Sequence, residues 1–187
     1  METHPSSRRA RFRPRAWTAI LAAVALGVAA FFVVRALAGN EDNGGKLEDP
    51  DGAFALSYPE SWAPLSKQEL EKLPGSPLAA VRQKDRKGIV VISSQGRVTR
   101  DFDKLTRRLD RRLNKRIPDF KKVSSKSVSI KAGPAFMYSY IRKRKGTAHS
   151  VVVVPTAAGG FTLNVVVQAG ASDVAQQAAS MIRSFDA

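Results

Sequence analysis

Nineteen consecutive residues, 16–34, carry no charge, and Arg8, Arg9, Arg11, Arg13 and Arg15 stand just ahead of them. Arg35 interrupts the run, followed by Ala36, Leu37 and Ala38. With the Arg35 head bent toward the interface, a helix over 16–38 reaches about 35 Å at ~1.5 Å per residue. That spans a hydrocarbon core of about 30 Å. Arginines before the segment and acidic residues after it predict a basic cytoplasmic tail at 1–15, a transmembrane helix at 16–38, and the remainder outside the plasma membrane. The competing reading is a secretory signal cleaved after Ala38, because Ala36-Leu37-Ala38 is an acceptable cleavage motif before Gly39. A signal peptide's apolar region usually runs ~7–15 residues, so the length favours a retained anchor. Ser7-Arg8-Arg9-Ala10-Arg11-Phe12 brushes against a twin-arginine signal, but its phenylalanine is one place late. Either way the large domain ends outside the cytoplasm.

The 31 Lys and Arg against 16 Asp and Glu leave the chain at +15, and the excess has two separate sources. Residues 1–39 hold six basic residues and one acid, whereas 40–65 hold one lysine and six acids. Residues 66–150 carry 23 basic residues and seven acids, and the tail from 151 only one arginine and two aspartates. The first source is the topology signal. The second belongs to the external domain.

No cysteine is present, which excludes a disulfide framework, a thiolate enzyme, a thiolate zinc site and a cysteine-linked lipid anchor. A thiol-free chain also suits an oxidising compartment. Residues 39–51 are acidic, polar and Gly-rich and read as a linker. Asp49, Asp51 and Gly52 suggest a calcium loop only until Leu47 and Tyr58 are seen to fill its first and twelfth ligand positions.

Residues 52–187 are enough for one core. Phe54, Leu56 and Tyr58 alternate on one side of a strand at 53–59. Ser66-Lys67-Gln68-Glu69 is a capping box for a short helix that stops by Pro74. Strands follow at 78–83 and 89–94. The clearest helix is 101–117, with Phe102, Leu105, Leu109, Leu113 and Ile117 on one stripe, acids in its first turn, and Lys115 and Arg116 in its last. Four β-rich runs come next, at 127–131, 135–142, 147–154 and 160–168. Ser172 is expected to cap a last helix with Val174, Ala178, Met181, Ile182 and Phe185 turned inward. Short connections predict a mainly antiparallel sheet, with three helical segments covering its faces, an α+β layered domain.

Motifs for catalysis are missing. Ile92-Ser93-Ser94-Gln95-Gly96 lacks the first glycine of a nucleophile elbow. His4 and His149 are too few for a metal site or a Ser–His pair, no carboxylate dyad is visible, and Gly159-Gly160 leads into a strand instead of opening a helix. Trp62, Tyr138 and Tyr140 suggest a ligand shelf, but Phe136, Tyr138 and Tyr140 share one strand face, which favours core packing. No catalytic residue, cofactor or metal ligand is expected.

What remains is charge. Lys104, Arg107, Arg108, Arg111, Arg112 and Lys115 occupy the helical arc opposite the leucine stripe, and Arg142-Lys143-Arg144-Lys145 adds a cluster on a turn. Asp103 is placed to pair with Arg107, and Asp110 stands nearly alone. The plain reading is a solvated helix face and a charged hairpin tip. The sharper one is an anion-binding face for phospholipid headgroups, an anionic wall polymer or a membrane-protein partner. Nucleic acid is set aside, because no aromatic interleaves residues 107–116 and the location is external.

Phe54-Ala55-Leu56-Ser57-Tyr58-Pro59-Glu60-Ser61-Trp62 resembles the opening strand and Pro-x-x-Trp turn of the PsbP-like and Ran-binding Mog superfamily. That group includes extrinsic photosystem proteins and actinobacterial envelope lipoproteins of the LpqN type. The ending is similar as well, with a strand at 161–168, a helix from Ser172 and Ile182-Arg183-Ser184-Phe185. Between the two ends the likeness rests on element order. It implies an α/β/α sandwich with a mainly antiparallel sheet and a mostly non-catalytic, partner-binding role. The chain departs from the lipoprotein branch by using a helix in place of a lipidated cysteine. Nothing in it matches a Ran-binding surface or a photosystem metal site. The expectation is a non-enzymatic, single-pass, extracytoplasmic accessory or binding module of the cell envelope. The alternatives are a cleaved, secreted domain of the same fold, or an envelope hydrolase.

Overall fold

The computed structural model describes residues 44–157 and 159–187. The expected tail at 1–15, the apolar helix at 16–38 and the start of the linker lie outside the described residues. Among the described residues no helix is long and apolar enough to cross a membrane.

Among the described residues nine strands and three helices follow one another: β1 (Gly45–Glu48), β2 (Ala55–Tyr58), β3 (Trp62–Pro64), α1 (Lys67–Glu71), β4 (Ala79–Gln83), β5 (Gly88–Gln95), α2 (Phe102–Arg116), β6 (Phe120–Ile130), β7 (Gly133–Arg142), β8 (Thr147–Pro155), β9 (Gly160–Gln168) and α3 (Ser172–Ser184). β1 and β2 form a separate ribbon, and the main sheet has the order β3-β4-β5-β9-β8-β7-β6. Every pairing in both sheets is antiparallel. β6 to β9 meander back from the far edge until β9 lies against β5, in register from Gly88 opposite Val167 to Gln95 opposite Gly160.

A helix lies on each face, as alternation along the strands requires. On one side α3 buries Val174, Ala178, Met181 and Ile182 against Val90, Ile92, Met137, Val152 and Leu163. Phe54, Phe161 and Phe185 pack together there at centroid distances of 5.6 to 6.0 Å. Trp62 is sunk in this core and its indole N–H donates to Gln177 Oε1 at 2.7 Å. A Cβ on Gly88 would meet Val174 at 2.6 Å and the Trp62 ring at 2.7 Å, so only glycine lets β5 approach both. On the other side α2 packs Leu105, with Phe102, Leu109 and Leu113, against Phe136, Tyr138, Tyr140 and Val153. The aromatic strand face is therefore core.

Several expectations need correction. Within the stretch read as linker, Gly45–Glu48 forms β1 against β2. β6 begins at Phe120, seven residues before the expected 127. Its lysines and serines hid it: β6 is an edge strand, where lysine is favoured because it blunts pairing with other chains. Phe120 stacks on Tyr138 at 6.3 Å, and the register shifts between Lys122 and Ser124. Ser172 is the first helical residue; the N-cap is Ala171, with no side-chain cap bond. The capping box at Ser66 forms as expected, but α1 has no buried residue, so among the described residues two helices, not three, cover the sheet.

The largest correction concerns Asp110. It accepts a hydrogen bond from the buried Tyr138 hydroxyl and an ion pair from Lys122 at 3.2 Å, with the Lys122 ammonium 5.2 Å from the Tyr138 ring. Burial, then the Asp110 bond and charge, push the Tyr138 hydroxyl well above its ordinary pKa. This knot ties one flank of α2 to β6 and β7. Asp103, by contrast, makes no ion pair with Arg107. In urea denaturation, Tyr138→Phe is expected to lower the unfolding free energy by about 1.5 kcal/mol, the worth of a hydrogen bond to a charged group. Asp110→Ala should cost more, because it strands a buried hydroxyl, and the double variant no more than Asp110→Ala alone, because it removes that hydroxyl. Additive costs would separate the two groups.

Candidate anion-binding surface

Helix α2 is capped by Asp101, whose carboxylate accepts from the Lys104 N–H at 2.9 Å, and its cations fall into two sets. Lys104, Arg107, Arg111 and Lys115 lie on the outer arc, all exposed. Arg108 and Arg112, together with Arg116, line a groove of about 580 Å³ between α2 and the sheet. The four-residue spacing keeps these three on one flank, opposite the flank that carries Asp110. None of the seven makes an ion pair among the described residues.

The groove exists because α2 packs against β6 to β8 and, among the described residues, no helix covers β5 and β9 on that face. Its inner wall is Leu105, Leu109, Leu113 and Ile117, its floor Ser93, Val151, Val153, Thr162 and Asn164, and Arg97, Val98 and Thr99 of the loop leading into α2 line it too. A second, shallower basin of about 770 Å³ lies on the same sheet face, bounded by Arg82, Arg86, Lys87 and Lys145 around Ile89, Val166 and Gln168. Among the described residues no Asp or Glu lines either one, and Arg82 is the one of these cations already held, by Glu69 at 3.0 Å.

The turn after β7 is not the single cluster that Arg142-Lys143-Arg144-Lys145 suggested. Asp119, just past α2, accepts from the Arg142 guanidinium at 3.2 Å and from the Arg144 backbone N–H at 3.0 Å. Burial raises the Asp119 pKa, but those bonds and the Arg142 charge outweigh it and hold the carboxyl below the usual range. Arg142 is thus a structural cation. Lys145 joins the second basin, and the Lys143 and Arg144 side chains are exposed at the tip. Arg97, Arg116, Arg82, Arg86 and Lys87 were missed from sequence. Arg116 continues the four-residue series of Arg108 and Arg112, whereas the others are gathered only by the strand order.

Among the described residues no group of His, Asp or Glu could hold a metal ion. No family model matches the chain, and no curated protein matches it. Solved structures do. The solution structure of cyanobacterial PsbP (CyanoP) from Synechocystis sp. PCC 6803 superposes with a TM-score of 0.55 over 81% of this chain and 97% of that one, at 12% identity. The fold is PsbP-like. A crystal structure from Bacteroides thetaiotaomicron VPI-5482 matches with a TM-score of 0.52 and 17% identity, over 77% of this chain but 48% of the other. At such identities the likeness concerns architecture alone, and it does not reach the LpqN type.

His149, the histidine of this PsbP-like domain, stacks on Tyr140 with ring centroids 4.7 Å apart, and its Nε2 lies 2.8 Å from the Thr147 hydroxyl. Burial first, then the Arg142 charge, opposed by Asp119 and reinforced by Lys145, depress its pKa to about 4. The folded state therefore favours neutral imidazole. Its contribution to stability is complete above about pH 6.5, the ordinary histidine value, and is lost as the pH falls toward about 4. Melting temperatures should consequently fall more steeply between pH 6.5 and 4 in the wild type than in His149→Gln, with parallel curves above pH 7. Parallel curves throughout would remove His149 from the account.

Proposed function

We propose that this PsbP-like domain is a non-enzymatic accessory module of the cell envelope, held outside the plasma membrane by the apolar segment at 16–38, and that it binds an anionic partner electrostatically. The observation that carries the reading is the charge left over. Among the described residues, seven cations of α2 have no ion-pair partner, and the groove beneath three of them is lined by no carboxylate. Like charges crowded on one element repel one another and destabilise the compact state unless a counter-charge arrives. Of the nearby acids, Asp101 caps the helix, Asp110 faces Tyr138 and Lys122, and Asp119 holds Arg142, which leaves Asp103 in the first turn as the one acid of α2 outside these bonds among the described residues.

Phospholipid headgroups, an anionic wall polymer and an acidic membrane-protein partner all fit this chemistry. Binding is expected to be strong at low ionic strength and to weaken steeply with salt, as for any contact dominated by charge. For the full-length protein on immobilised wall polymer or anionic vesicles, a rise from 50 to 200 mM salt should weaken retention by about tenfold or more. Retention indifferent to salt, or none at low salt on either surface, would overturn the reading.

A further inference from the structure

We infer that the groove between α2 and the sheet is a site for one linear phosphodiester chain, a polyol-phosphate polymer, lying along Arg108, Arg112 and Arg116. This inference rests on the anion-binding reading above and narrows it. The site is recessed, with α2 as one wall, and Arg97, on the loop that leads from β5 into α2, also lines it. A strand of polymer can enter such a groove, whereas a bilayer meets the exposed outer arc of α2 first.

The spacing supports a repeating ligand. Residues four apart rise about 6 Å along a helix, so the three arginines form a ladder of that period. Phosphates joined through a three-carbon polyol are separated by six bonds of ~1.5 Å, roughly 7 Å when extended. One phosphate can therefore meet each arginine. Arg binds phosphate through paired N–H donors, which adds direction to charge. The floor supplies Ser93, Thr162 and Asn164, hydroxyl and amide groups suited to a polyol's own hydroxyls. Tyr140 is the aromatic residue lining the groove among the described residues, and at 7% exposure with one face stacked on His149 it leaves little ring for a base to stack upon.

The same sheet face continues the path. From Ser93 to Ile89 on β5, and beside it from Asn164 to Val166 on β9, the open positions lead from the groove to the second basin. Four strand residues cover about 13 Å. There Arg86, Lys87 and Lys145 offer charge for further phosphates, and no Asp or Glu among the described residues lines this basin either. A chain long enough to occupy both basins gains contacts that a short one lacks.

The test uses full-length protein, synthetic poly(glycerol phosphate) of two and of eight repeats, phosphatidylglycerol vesicles, and a single-stranded oligothymidylate. The triple variant Arg108→Gln/Arg112→Gln/Arg116→Gln is compared with the outer-arc variant Lys104→Gln/Arg107→Gln/Arg111→Gln/Lys115→Gln, which removes more charge. The expected result is an octamer bound about tenfold tighter than the dimer, with affinity reduced about tenfold by the triple variant and at most about threefold by the outer-arc variant. If the triple variant misfolds, Arg112→Gln and Asn164→Ala alone make the same comparison. An outer-arc variant as costly as the triple, no length dependence, or oligothymidylate bound equally through the groove would overturn the inference. Vesicle binding without polymer binding would also sink it while leaving the anion-binding reading intact; loss of both would end that reading as well.

Discussion

Chain connectivity sends α2 from β5, in the middle of the sheet, to β6 at its far edge, and the helix must find its seat along that crossing. The leucine stripe supplies non-directional burial against Phe136, Tyr138 and Val153, which alone permits sliding. Asp110 adds direction by gripping Tyr138 and Lys122 on the β6 side. Held there, α2 leaves the β5–β9 half of the face without a helix among the described residues, and its opposite flank, with Arg108, Arg112 and Arg116, overhangs the gap. The groove is a consequence of how the core on that side is satisfied.

Much of this fold was legible because local and global signals agree. The stripe from Phe102 to Ile117, the capping box at Ser66 and the inward face of α3 each belong to one element and need no partner to be recognised. The failures share a physical cause. β6 is an edge strand whose Lys121, Lys122, Ser124 and Ser125 carry the polar character that edges need, so its composition argues against its conformation. β1 is four residues long and exists only through its pairing with β2. Asp110 reads as a spare acid on a basic helix until Tyr138, 28 residues later, is brought beneath it.

The candidate site was half legible for the same reason. The cations of α2 follow from helical periodicity, and Arg116 was within reach of that logic. Arg97, Arg86 and Lys87 sit on turns whose neighbours depend on β9 inserting between β5 and β8, a strand order that no local pattern announces. Conversely, Arg142 looked like part of a basic patch and proves to be committed to Asp119. Net charge counts residues; the structure sorts them into those already neutralised and those left over. The PsbP-like likeness adds architecture to this picture, while the distribution of unpaired cations is read from this chain's own residues.

Arginine-specific chemical footprinting of the full-length protein, with and without poly(glycerol phosphate) octamer at low salt, tests the central claim most directly, because it reports each guanidinium separately. Protection is predicted at Arg97, Arg108, Arg112 and Arg116, while Arg107 and Arg111 on the outer arc and the exposed Arg183 on α3 remain reactive. Protection led by Arg107 and Arg111, or spread evenly over every exposed arginine, would contradict a groove-bound polymer.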